Sequence, residues 1–148
     1  MITHEDNLLL CQVEGSSPAG QMMRQHWIPI CLSEEVSEAD GTPVKARILG
    51  ENLVVFRDTD GRVGVVDEKC PHRGASLLFG RNEEGGLRCL YHGWLFDVDG
   101  KCLETPAEPE GSVLCQRVRQ RSYPVVVKNG IIFAYLGEGE APAFPDFD

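Results

Sequence analysis

The sequence predicts an all-β domain built from short antiparallel sheets. Three observations lead there: apolar residues fall in short runs, Gly, Asp and Asn punctuate those runs, and no long amphipathic helix is present. Residues 1–20 are polar, then apolar, then G-S-S-P-A-G, with Leu8, Leu9 and Leu10 expected to pack as a short arm. Residues 21–36 open with a helical turn that Pro29 cuts short. The text then becomes β. V-K-A-R-I-L precedes Gly50, N-L-V-V-F-R precedes the turn D-T-D-G, and R-V-G-V-V-D follows. L-R-C-L-Y-H leads into W-L-F-D-V-D-G-K-C-L-E, with Asp99-Gly100 as a tight hairpin turn. A Pro- and Glu-rich loop covers 104–111, and Y-P-V-V-V-K-N-G-I-I-F-A-Y-L-G reads as a hairpin turning at Asn129-Gly130. The expected organisation is an N-terminal arm with a short helical segment (1–36), one β domain (37–140) and the start of a linker (141–148).

At 148 residues the chain suits one domain with its own core. A net charge of −9 argues against nucleic acid and is compatible with docking to a basic patch on a partner, or simply with solubility. No run of about 18 apolar residues suggests a membrane span, and M-I-T-H-E-D-N lacks the features of a secretory signal, so a cytoplasmic location is expected. Without a signal, the six cysteines are not expected to form a disulfide scaffold. Cys11, Cys31, Cys102 and Cys115 have no partner at ligand spacing and read as small structural hydrophobes.

The other two cysteines sit in Cys70-Pro71-His72 and Cys89-Leu90-Tyr91-His92, sixteen residues apart. Each piece offers a soft thiolate and an imidazole, and each is followed by glycine, Gly74 and Gly93. Glycine lets backbone approach a metal centre and aim amide N–H groups at it. A Cys2His2 set also suits tetrahedral zinc, but zinc spacings usually pair Cys with Cys and His with His on separate elements. C-x-H followed by C-x2-H is instead the Rieske pattern, in which two His replace two Cys on one iron of a [2Fe–2S] cluster. Cys70 and Cys89 would then bind one iron, and His72 and His92 the other. Two ferric ions, two sulfides and two thiolates sum to zero with neutral histidines, so an added electron meets less charge than in a four-thiolate cluster.

The segments C-P-H-R-G-A-S-L and L-R-C-L-Y-H-G-W-L-F-D resemble the N-terminal domain of Rieske non-haem iron ring-hydroxylating oxygenases, most closely the phthalate dioxygenase-like branch. The likeness extends over G-Q-M-M-R-Q-H-W-I-P-I, V-V-F-R-D-T-D-G-R-V-G-V-V-D-E-K and N-G-I-I-F-A-Y-L-G. It implies the Rieske iron–sulfur fold with two cluster-binding loops, and Cys70, His72, Cys89 and His92 as ligands. It also implies electron transfer from an NAD(P)H-dependent flavin or iron–sulfur reductase to a mononuclear Fe(II). In the family that iron lies in a larger following domain, opposite the cluster of a neighbouring subunit in a homotrimer, with His92 as the facing histidine. His4 and His26, the only other histidines, share no local motif with a carboxylate and read as structural, so the mononuclear site is expected outside this chain. The chain ends at F-P-D-F-D, about where the second domain is expected to begin.

A free-standing Rieske ferredoxin and a non-redox zinc module are the competing functions. The 20–36 segment and the terminal A-P-A-F-P-D-F-D favour the oxygenase part. Arg73 and Trp94, close after the two histidines, are candidates to shield the cluster, with packing alone as the other reading. Glu68 and Lys69 are expected on a solvated surface. The positions that carry sulfur-bonding hydroxyls in high-potential respiratory Rieske proteins hold Trp94 and Phe96. Those of the extra disulfide hold Ala75 and Tyr91, so a low reduction potential is expected.

Overall fold

The computed structural model describes residues 1–146, so Phe147 and Asp148, the last two residues of the expected linker, lie outside the described residues. Among these residues ten strands form three small antiparallel sheets. β1 (Trp27–Leu32), β10 (Ile131–Tyr135) and β9 (Val125–Lys128) form the first, in that order. β2 (Val44–Ile48), β3 (Glu51–Arg57) and β4 (Val63–Asp67) form the second. β5 (Arg81–Glu83), β6 (Gly86–Arg88), β7 (Leu95–Phe96) and β8 (Cys102–Glu104) form the third. The mostly-β architecture agrees with the sequence.

The middle sheet is covered on both faces, and strand alternation shows how. Leu53 and Val55 of β3 and Val65 of β4 pack with Ile132, Ala134 and Leu136 from the β10 side. Val54, Phe56 and Val66 point the other way and pack with Leu77, Leu87, Phe96 and both motif cysteines, Cys70 and Cys89. β3 therefore runs as a continuous apolar stretch, because each face has its own core.

Among the described residues three α-helices accompany the sheets: α1 (His4–Cys11), α2 (Pro18–Arg24) and α3 (Leu114–Arg117). The helical turn expected from residue 21 starts earlier, with Pro18 in its first turn, and ends at Arg24. Pro29 does not end it. Pro29 lies inside β1, an edge strand, at an irregularity between Pro29 and Cys31, where its missing N–H costs no ladder bond. Leu8, Leu9 and Leu10 do not pack as expected. They are consecutive on α1, cannot share one face, and are all exposed.

The Asn129-Gly130 hairpin is the two-residue turn the sequence indicates, with Lys128 opposite Ile131 and positive φ at both residues. The turn at Asp99-Gly100 is longer. Asp97 and Lys101 close a three-residue loop, and Asp97 Oδ1 accepts from the backbone N–H of Asp99 and of Lys101. Asp58 closes the D-T-D-G turn in the same way, accepting from Asp60 and Arg62.

A polar clamp ties the N-terminal segment and the first sheet to the middle one. Buried Arg24 donates to Leu49 O at 3.0 Å and to Glu51 Oε1 at 2.9 Å. Tyr123 OH lies 2.6 Å from Asp67 Oδ1 and 2.8 Å from Glu51 Oε2, and burial together with these carboxylates keeps the phenol protonated. Burial alone would raise the Glu51 pKa, but hydrogen bonds from Arg24 and Tyr123 outweigh it and hold the carboxyl below its usual range. A depressed folded pKa gives stability that is present above the unfolded value, about 4.3, and is lost as pH falls through the folded value. Glu51→Gln should therefore cost about 2 kcal/mol near neutral pH and flatten the loss of stability as pH falls below about 4, read by denaturant melts at neutral and acidic pH. Equal acid sensitivity in both proteins would contradict this.

Candidate metal centre

The two motif loops rise from neighbouring positions and repeat one backbone frame. The first leaves the end of β4: Cys70 N–H donates to Ala75 O at 2.8 Å, and Gly74 N–H to Cys70 O at 2.9 Å. The second leaves β6: Cys89 N–H donates to Trp94 O at 2.8 Å, and Gly93 N–H to Cys89 O at 3.0 Å. The histidine spacing differs by one residue, yet glycine stands four residues after cysteine in both loops, with φ of 72° at Gly74 and 75° at Gly93. A side chain would be strained at either position, which explains the glycine in each motif.

The frame pairs like with like. Cys70 and Cys89 are both buried, in the same apolar core. Burial pushes the Cys70 thiol up to about 11, opposed by backbone N–H groups of His72 and Arg73 aimed at its sulfur. His72 and His92 meet edge to face with ring centroids 4.6 Å apart. Partial covering, then His92 and Arg73, hold the His72 imidazole below its usual pKa, which favours the neutral, ligating form. Among the described residues no three His, Cys, Asp or Glu side chains converge on one point. Two thiols beside two imidazoles, with amides directed at sulfur, suit a centre of two irons, each taking one pair.

The surroundings divide into a packed side and an open side. Trp94 is buried and stacks on His72 at 4.2 Å and 8°. Arg73 is exposed, and what reaches Cys70 is its backbone N–H rather than its side chain. His92 is half-buried, with Tyr91 against it at 3.9 Å, and Tyr91, Leu90 and Phe79 expose apolar surface nearby. Lys69 is solvated as expected. Glu68 is not: Ser76 Oγ donates to it at 2.8 Å and Lys45 pairs with it at 2.9 Å, bracing the base of the first loop. His4 and His26 are both exposed.

Three contributors escaped the sequence. Gln120 Nε2 donates to Asp67 O and Lys69 O beneath the first loop. Pro106, from the Pro- and Glu-rich stretch, covers Gly93. Arg88, just before Cys89, is buried and donates to Gly93 O. Only the R-C dipeptide hinted at the last, and adjacency alone does not announce burial. The spare cysteines are not all isolated. Cys115 Sγ donates to Cys102 O at 3.1 Å, and Cys102 shares the core of Cys70 and Cys89.

A family profile described as the Rieske [2Fe-2S] domain matches residues 26–129. The chain belongs to this family. The Rieske chain is 60% identical over 147 residues to the phthalate 4,5-dioxygenase oxygenase subunit of Pseudomonas putida, covering 99% of itself and 33% of that relative. Among solved structures, apo dicamba monooxygenase matches with a TM-score of 0.72 at 34% identity, over 84% of this chain and 38% of the other. The reduced complex between oxygenase and ferredoxin in carbazole 1,9a-dioxygenase matches with a TM-score of 0.68 at 33% identity, over 80% and 30%. The Rieske chain thus spans about a third of the length of such relatives as the phthalate, tert-butanol and phenoxybenzoate oxygenase subunits.

Proposed function

We propose that Cys70, His72, Cys89 and His92 hold the family's [2Fe–2S] cluster, and that this chain is the N-terminal electron-transfer domain of an aromatic-ring oxygenase. The observation that carries the assignment is the pairing of thiol with thiol and ring with ring across two loops of one backbone design. When bound, the cluster supplies a one-electron couple at a potential set by its ligands and surroundings. The chain's own residues do the rest. Cys70 and Cys89 carry the sulfurs into an apolar core, the His72 and Arg73 amides point at sulfur, and Trp94 keeps water from one face of His72. His92 keeps an accessible edge for a partner.

The electron source in this reading is an NAD(P)H-dependent flavin or iron–sulfur reductase, and the acceptor is a mononuclear Fe(II) in an oxygenase catalytic domain of a neighbouring subunit. Residues 37–140 form the cluster domain, 1–36 its N-terminal arm and 141–148 the start of a linker. The protein works in the cytoplasm. Relatives named as oxygenase subunits support this reading over a free-standing ferredoxin, since the chain matches about a third of each.

The test is reduction and potential. Loaded chain should be reduced by such a reductase with NADH and give a Rieske EPR signal, without converting an aromatic substrate. Its midpoint at pH 7 should lie near the bottom of the roughly −150 to +300 mV Rieske range. Phe96 is fully buried in the core that holds both motif cysteines, and it has no hydroxyl to donate to sulfur. Phe96→Tyr should raise the midpoint by about 40 mV, the equivalent of about 1 kcal/mol for one electron. A wild-type midpoint above about +100 mV would overturn the oxygenase assignment.

A further inference from the structure

The cost of burying Arg88 is out of proportion to the small sheet it belongs to. Its side chain is only 7% exposed. Nε donates to Glu83 Oε1 at 2.8 Å, Nη1 lies 2.6 Å from Glu104 Oε2, and Nη2 donates to Glu84. Nη1 also donates to Gly93 O at 2.9 Å. Three carboxylates, each at least a third exposed, neutralise the charge, and exposed pairs would tie such strands together without burying a guanidinium. What the buried fork adds is the fourth bond.

That bond lands one residue after His92. Gly93 N–H is already held by Cys89 O, so Arg88 fixes the other polar group of the same residue. The first loop has no equivalent: Lys69, the residue before Cys70, is exposed, and Gln120 holds backbone only at the loop's base. We propose that Arg88 is a positioning residue, whose guanidinium fixes the Gly93 carbonyl and through it the presentation of His92. This rests on His92 being a cluster ligand.

Arg88→Lys keeps the charge but replaces a planar fork with a point donor. Arg88→Gln removes the charge and leaves Glu84 and Glu104 uncompensated, while Glu83 keeps Arg81. Both variants of the full chain, loaded with cluster, should release iron to a chelator on the order of 10-fold faster, in the range seen when partners of metal ligands are removed. Both should alter the EPR line shape. The midpoint should move negative in Arg88→Gln and much less in Arg88→Lys. Should Arg88→Gln fail to fold, Glu104→Gln removes one half-exposed partner of Nη1, and it should speed release and move the midpoint positive. Wild-type spectrum, release rate and midpoint in Arg88→Lys, or in Glu104→Gln, would reduce Arg88 to a strand tie and overturn the proposal. His92→Ala is read beside them. A full Rieske spectrum in that variant would defeat the ligand assignment itself, whatever the Arg88 variants show.

Discussion

Cys70→Ser, His72→Ala, Cys89→Ser and His92→Ala should each yield colourless or rapidly bleaching protein. Each loop is closed by its own backbone frame, and the two loops meet through their cysteines, their histidines and the stack of Trp94 on His72. A bound centre links them, and its binding free energy is also folding free energy. Losing one ligand opens an iron to solvent and leaves the paired side chain without its counterpart. The apo state gains nothing in return, since burial keeps the Cys70 thiol protonated up to about 11. Cys11, Cys31, Cys102 and Cys115 should accept serine with colour retained. Cys11 is exposed, and a serine at 115 can repeat the bond to Cys102 O. Visible absorption and EPR of the eight variants decide this. A full Rieske spectrum from any of the first four would remove that residue from the ligand set, and bleaching in Cys102→Ser would bring its core position into the site.

What the sequence made legible was whatever is decided locally. Asn129-Gly130 specifies its turn because both residues tolerate positive φ, and C-x-H with C-x2-H offers two thiols and two imidazoles, which the fold brings together as a cysteine pair and a histidine pair. β3 and β4 of the middle sheet were legible as apolar runs bounded by Gly and Asp turns, and β2 by its alternation of apolar and charged residues. What was hidden depends on partners far along the chain. Pro29 reads as a helix breaker until β10, a hundred residues on, makes β1 an edge strand. Glu68 reads as solvated until Ser76 folds back onto it. Arg88 owes its burial to Glu83, Glu84, Glu104 and Gly93 together, and no local pattern records four partners at once. The common frame of the two loops was hidden because their histidine spacings differ, while the shared glycine spacing is what sets the turn.

Trp94→Ala should combine a large loss of stability with faster loss of the cluster. Trp94 is buried in the core formed by Val54, Phe56, Leu87 and both motif cysteines. Truncating a buried tryptophan costs about 3–5 kcal/mol, the lost transfer energy plus the cavity left behind. For a chain of this size that is a drop of roughly 10–15 °C in melting temperature. The indole also lies nearly parallel to the His72 ring at 4.2 Å, so it fixes the ring plane and covers one face of it. Removing it admits water and oxygen on the side where Arg73, exposed as it is, offers no cover. Trp94→Phe separates the two roles. It keeps an aromatic face over His72 while giving up part of the core volume, so it should lose stability but bleach in air much more slowly than Trp94→Ala. The two measurements are the melting temperature and the decay of visible absorbance under air, at a temperature well below both melts. Equal bleaching rates in wild type and Trp94→Ala, with the stability loss intact, would leave Trp94 a packing residue and remove the shielding role.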